Sequence, residues 1–274
     1  MRIPLTLLAV VAAAAPLAAQ GNDPLAFLRR GTGDVVIGPP PAPTYKPVRT
    51  GELQAASFLT EMRDMPFGRL LGPVDPSLVR TAETTDLAMI GTVVAVAPPS
   101  GTSYQRGDTV VLALRLPGPK GWGEIVRPTG LARIGDQSPR QTLATVIAVY
   151  GPIRDGQVVF PLQPVTNPGT VQPVPANGPS GEIIAGAEPR ELEQSGSLMF
   201  TTLGSGAGVR IGDFVEIRRR PQQRPHLSDT IDDIMAVGQV VHLGDKSSTV
   251  KLIRVIDPDI RAGTPVVRSA TLGG

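Results

Sequence analysis

The stretch that decides the fold is Gly208–Arg220, "GVRIGDFVEIRRR", which follows the glycine-rich run "TLGSGAG" at 202–208. Two structures compete for it. Glycines ahead of a helix cradle a phosphate on the helix N-terminal amides. Glycine and aspartate ahead of alternating apolar residues turn the chain into a β-strand. The residues after Gly212 alternate as a strand does, and "GSGAG" (204–208) lacks the third glycine of the dinucleotide spacing. The turn reading prevails. Gly212 supplies positive φ, and Asp213 folds its side chain onto the following backbone N–H. Phe214 then opens a strand.

The same device occurs earlier, at Gly107–Asp108 in "YQRGDTVVL". Residues 90–112 set over 195–217 without gaps bring Gly91 onto Gly196, Gly101 onto Gly206, Gly107–Asp108 onto Gly212–Asp213 and Val110 onto Val215. Residues 142–159 set over 249–266 bring Thr142 onto Thr249, Ile153–Arg154 onto Ile260–Arg261, Gly156 onto Gly263 and Val159 onto Val266. Both blocks recur in one order at nearly one offset, the mark of an internal repeat. Gly107, Asp108, Gly156, Gly212, Asp213 and Gly263 are its structural turns.

Working outward, 31 glycines and 29 prolines in 274 residues punctuate short β-branched runs, as in a mainly β chain. The expected fold is two tandem small β-barrel or sandwich-like modules, with a short N-terminal helix and proline-rich disordered segments. Arg2 and the apolar "IPLTLLAVVAAAAPLAA" that follows it predict a secretory signal peptide over 1–20, cut near Ala19 or Gln20. A disordered proline-rich arm over 21–49 comes next. A short helix and irregular segment fill 50–85, with Thr50 as the cap of a helix over 51–64. Module 1 spans 86–160, a proline-rich linker 161–182, and module 2 183–270. No later segment is apolar enough to span a membrane. The absence of cysteine removes disulfides, a lipidated cysteine and thiol chemistry.

The module residues resemble a family. Module 2 shows a "v-x-x-G-D" turn, a strand with "v-x-R", a "G-x-v-x-v" strand and a closing "I-x-x-G". Gly212–Asp213, Arg218, Gly238, Val240, Ile260 and Gly263 carry that pattern; Gly107–Asp108, Arg127, Gly130, Ile153 and Gly156 carry it in module 1. It resembles the C-terminal β-modules of exported bacterial envelope proteins, both those that follow LysM peptidoglycan-binding domains and that of flagellar assembly protein T. Ala262–Gly263–Thr264 departs from the pattern in lacking a final Asp, and no LysM sequence precedes the modules. The resemblance implies a non-catalytic envelope role, with envelope proteins or peptidoglycan as partners.

Residues suited to catalysis or metal binding are few. His226 lies in the Pro- and Arg-rich loop "RRRPQQRPHLSD" and His242 in a strand, and no G-x-S-x-G elbow supplies a nucleophile. Two histidines sixteen apart form no zinc signature, and Asp229, Asp232 and Asp233 lack the EF-hand spacing, so no metal or cofactor is expected. Asp257 and Asp259 flank Pro258 in a turn. Trp122 is either a sugar platform or a packed hairpin-tip residue. With 26 basic and 24 acidic residues and 4% aromatics, nucleic acid is not an expected partner. The densest positive charge is Arg210, Arg218, Arg219, Arg220 and Arg224, and guanidinium groups pair well with carboxylate or phosphate. The leading expectation is therefore a non-enzymatic exported structural or binding component of the bacterial cell envelope, in the periplasm or cell envelope, acting through protein–protein or cell-wall contacts. An adaptor holding an acidic polymer on the Arg218–Arg220 strand is the alternative, and a periplasmic hydrolase the remote one.

Overall fold

The computed structural model describes residues 47–74, 87–138, 141–169, 171–220 and 233–272, all within one contact unit, Tyr45–Gly274. The expected signal peptide and most of the arm lie outside the described residues. The elements in order are α1 (Thr50–Ala55), β1 (Phe58–Leu59), β2 (Gly68–Pro73), β3 (Val93–Ala97), β4 (Thr109–Pro117), β5 (Glu124–Ser138), β6 (Gln141–Val149) and β7 (Val158–Pro161). They continue as β8 (Pro173–Pro175), β9 (Ser180–Gly186), β10 (Leu198–Thr201), β11 (Phe214–Arg218), β12 (Ile234–Leu243), β13 (Ser248–Val255) and β14 (Pro265–Leu272).

The chain is mainly β, in two antiparallel sheets. In the first, β5, β4, β7, β2, β3 and β6 pair in that order, and β6 returns to β5 to close a six-strand barrel. In the second, β12, β11, β14, β9, β10 and β13 pair around the same circuit, with β11–β14 and β12–β13 completing it. Replacing each of β2–β7 by its counterpart in β9–β14 turns one order into the other. Alternate side chains point inward along each strand. Leu70, Val94, Leu112 and Val146 fill the first interior, and Ile183, Met199, Ile217 and Leu252 the second.

The turns match to the level of single hydrogen bonds. Gly107 and Gly212 both have φ +92°, and donate to the carbonyls of Ile134 and Val240. Gly156 and Gly263, at φ +78° and +77°, donate to Leu70 and Ile183. The aspartates act in the opposite direction from that expected. Asp108 and Asp213 accept, through Oδ2, the N–H of the residue three positions earlier, Gln105 at 2.7 Å and Arg210 at 3.0 Å. Each carboxylate thus closes the turn from behind, while its own backbone carbonyl receives the facing strand.

The gapless alignment of the second block needs one correction. Val96 pairs with Thr142 and its counterpart Thr201 pairs with Ser248, so Thr142 corresponds to Ser248 rather than Thr249. Module 2 carries one extra residue between β13 and its closing glycine turn. A one-residue slip would put every side chain of the strand on the wrong face, so the extra residue is confined to the loop. Arg127 lies on β5 and Arg218 on β11, the counterpart of β4, so the two arginines are not equivalent.

The segment 50–85 also differs from expectation. Helix α1 stops at Ala55, because Ala56 is already extended and β1 pairs with β5. Thr50 is the first helical residue; Arg49 occupies the cap, and the Glu52 carboxylate accepts its N–H at 3.0 Å. Gly68–Pro73 is a barrel strand despite its prolines: Pro66 precedes it, and Pro73 ends it opposite Val94. Likewise β8 and the start of β9 lie inside the stretch 161–182.

Gly107 and Gly212 offer a clean comparison. A β-carbon on Gly107 meets open space, whereas one on Gly212 overlaps the Leu272 and Pro168 side chains. Gly107→Ala is expected to cost about 1 kcal/mol of backbone strain, and Gly212→Ala roughly 2–3 kcal/mol in urea unfolding.

Candidate functional site

The two modules are joined by a strap, residues 47–66, that belongs to both. Its strand β1 extends the first sheet, while its polar groups reach the second. Glu61 Oε1 accepts the backbone N–H groups of Lys246 (3.0 Å) and Ser247 (2.8 Å) and the Ser247 hydroxyl (2.8 Å). Thr249 donates its hydroxyl to the Ser57 carbonyl at 2.6 Å, and Lys251 Nζ binds Glu52 at 2.6 Å. Burial pushes the Glu61 carboxyl up, but the Ser247 hydroxyl, the two N–H groups and the Arg63 charge outweigh it and hold it below the usual carboxylate range. Leu53 and Ala56 of the strap pack on Val241.

His242 sits under the strap. Its ring stacks on Phe58, with centroids 4.5 Å apart and planes within 8°. Among the described residues it makes no hydrogen bond to a serine or aspartate. Burial lowers its pKa from 6.5 to about 4, against a smaller upward pull from Glu61. The folded chain therefore holds it neutral where an unfolded chain would protonate it. That contribution is intact above pH 6.5 and is lost as pH falls toward 4. The residue keeps some exposure, which reduces the effect to about 2 kcal/mol. Denaturant midpoints should fall across that window in wild type and stay flatter in His242→Gln.

The arginines at the end of β11 each find a partner within the chain. Arg218 pairs with Glu216 at 2.6 Å and Arg219 with Asp257 at 2.8 Å. Arg220 donates to the carbonyls of Ala262 and Gly263. Arg210 is exposed on the turn. Arg224, His226, Asp229 and Asp232 lie outside the described residues; the Asp233 carbonyl accepts the Arg219 N–H at 2.7 Å. Asp257 and Asp259 each face an arginine, Asp259 pairing with Arg261 at 2.5 Å. Among the described residues no three acidic or histidine side chains gather as a metal site. Trp122 packs at the junction of the modules. Beside that junction runs a cleft of about 430 Å³ whose walls include Arg127, Glu188, Arg190 and Glu193. Arg190 pairs with Glu188 at 2.7 Å there, and Arg127 donates to the Ala187 carbonyl at 2.9 Å.

What stands out on the surface is apolar. Leu71, Val74, Leu87, Met89, Ile90, Val93 and Ile147 of module 1 are between 37% and 69% exposed. Backbone bonds set several of them on neighbouring segments. Val74 donates to the Val93 carbonyl, and Gly91, next to Ile90, donates to Val146, next to Ile147. Exposed apolar residues grouped on neighbouring segments make a candidate interaction surface, where single ones would not. Periodicity places these side chains on a face without saying whether another segment covers it, so the sequence offered no signal beyond the adjacent "LL" and "MI" pairs. No helix among the described residues is long and apolar enough to cross a membrane. Neither a scan against protein-family models nor a search of curated proteins found a match for the chain.

Proposed function

We propose that the chain is a non-enzymatic structural or binding component of the bacterial cell envelope, exported through its N-terminal signal and acting by protein–protein contacts. The apolar patch on module 1 carries this reading, because a surface of that composition gains by being covered. The strap supports it. Two barrels locked by buried hydrogen bonds present a fixed surface, so docking orders no hinge. Export follows from the apolar, small-residue-ended stretch over 1–20.

Cell fractionation tests the proposal. The full chain should be recovered with the periplasm and envelope, and a chain lacking residues 1–20 should stay in the cytoplasm. Recovery of the full chain only in the cytoplasm would overturn it. Retention on purified peptidoglycan at physiological salt would move the contact from protein to wall.

A further inference from the structure

Module 2 departs from module 1 at a buried position. The turn before β3 and the turn before β10 match bond for bond. Gly91 (φ +88°) donates to the Val146 carbonyl and Gly196 (φ +92°) to that of Leu252. The Met89 N–H binds Thr92 Oγ1 at 3.0 Å, as the Gln194 N–H binds Ser197 Oγ at 3.2 Å. Glu193 therefore stands where module 1 has Ala88. Each donates its N–H to the loop before the closing glycine turn, Ala88 to Ile153 and Glu193 to Pro258. Both are buried, at 5% and 7% exposed. In module 1 the side chain is a methyl group in the core. In module 2 it is a carboxylate, so the fold of the module does not call for the charge.

Among the described residues the Glu193 carboxylate has no hydrogen-bond or ion-pair partner. Its Oε1 packs over Gly186, 2.9 Å from the place of a β-carbon, and the Glu188 carbonyl lies 3.0 Å from the same place. The glycine makes room for the carboxylate beside a second acceptor. Covering a carboxylate without a donor costs free energy, and native folds seldom leave one so without a use. Glu193 lines the cleft of about 430 Å³ between the modules, and the other charges on its walls are Arg127, Glu188 and Arg190. Glu188 serves both guanidinium groups, Arg190 at 2.7 Å and Arg127 at 3.8 Å. One carboxylate shared by two guanidinium groups leaves a positive charge unmatched, as Glu193 leaves a negative one. We infer that this cleft binds a small zwitterion, its ammonium group held on Glu193 and its carboxylate on Arg190. A cleft of this volume suits a small ligand, and both ends would make charge-assisted hydrogen bonds. Free amino acids and short peptides carry this chemistry. The site is separate from the apolar face of module 1 and does not rest on export.

Amide NMR of the full chain at pH 7 tests it, with alanine and alanyl-alanine as probes. One or both should shift the amides of Gly186, Glu188 and Gly196 saturably; alanine would mark a free amino acid as the ligand, alanyl-alanine alone a peptide. N-acetyl-alanyl-alanine lacks the ammonium group and should bind at least about tenfold more weakly, as should alanyl-alanine on Glu193→Ala. Alanyl-alanine amide lacks the carboxylate and should also bind more weakly. Arg190→Gln should bind alanyl-alanine no better than wild type binds that amide. Glu193→Ala installs the residue module 1 carries at this position, so its denaturant midpoint should hold or rise. If that variant loses its β circular dichroism, Glu193→Gln, which keeps the shape and removes the charge, carries the same test. No saturable shift with either probe, an acetylated dipeptide that binds as well as the free one, or affinity unchanged by the Glu193 variants would overturn the inference.

Discussion

Glu61→Ala is expected to lower stability by roughly 3–5 kcal/mol, the cost of stripping a buried acceptor from several donors. The Glu61 side chain is 3% exposed and serves two backbone N–H groups and one hydroxyl of the β12–β13 turn. Without it those donors stay buried with no acceptor, because the turn is closed on its other side by the bond from Gly244 to Ser247. Water does not replace a partner for donors that remain covered. Glu61→Gln keeps an acceptor and loses the charge, so it should cost about 1–2 kcal/mol. Denaturant unfolding measures both, and amide exchange at Ser247 should quicken in the alanine variant. The sign with pH is set by the lowered pKa: the contribution is present above about pH 4.5 and is lost as pH falls through the folded value.

Phe200→Ala should cost about 3–5 kcal/mol, the range for a fully buried phenylalanine. Phe200 is 0% exposed and lies between the modules, touching a cluster that includes Leu59, Ile125 and Ile184. Because the lost contacts join two barrels, the variant should also unfold in two steps where wild type unfolds in one, by tryptophan fluorescence of Trp122 against far-ultraviolet circular dichroism. A loss under 1 kcal/mol with coincident transitions would mean that the strap alone couples the barrels.

The alternation in "DTVVLALRL" and "DFVEI" and the glycines at 107, 156, 212 and 263 are local instructions, and they are legible because a turn or an alternating run acts over a few residues. They sufficed for a mainly β chain built from one module used twice. Strand β2 was hidden by its prolines. Strap strand β1 is two residues long, too short to show a period. The sequence shows the arginines' charges and not the partners they meet: Asp257 is 38 residues from Arg219, and the fold brings them to 2.8 Å.

By itself, then, the sequence determined the module, its turns and its repetition. Tertiary structure decided that the pairings run in a ring, that Glu61 answers amides 185 and 186 residues away, and that Ile184 is covered while its counterpart Leu71 is open. The physical reason is the range of the forces. Backbone conformation and alternation are set by neighbours along the chain, whereas burial and charge pairing depend on which distant surface arrives, and two modules of one topology in one chain receive different neighbours.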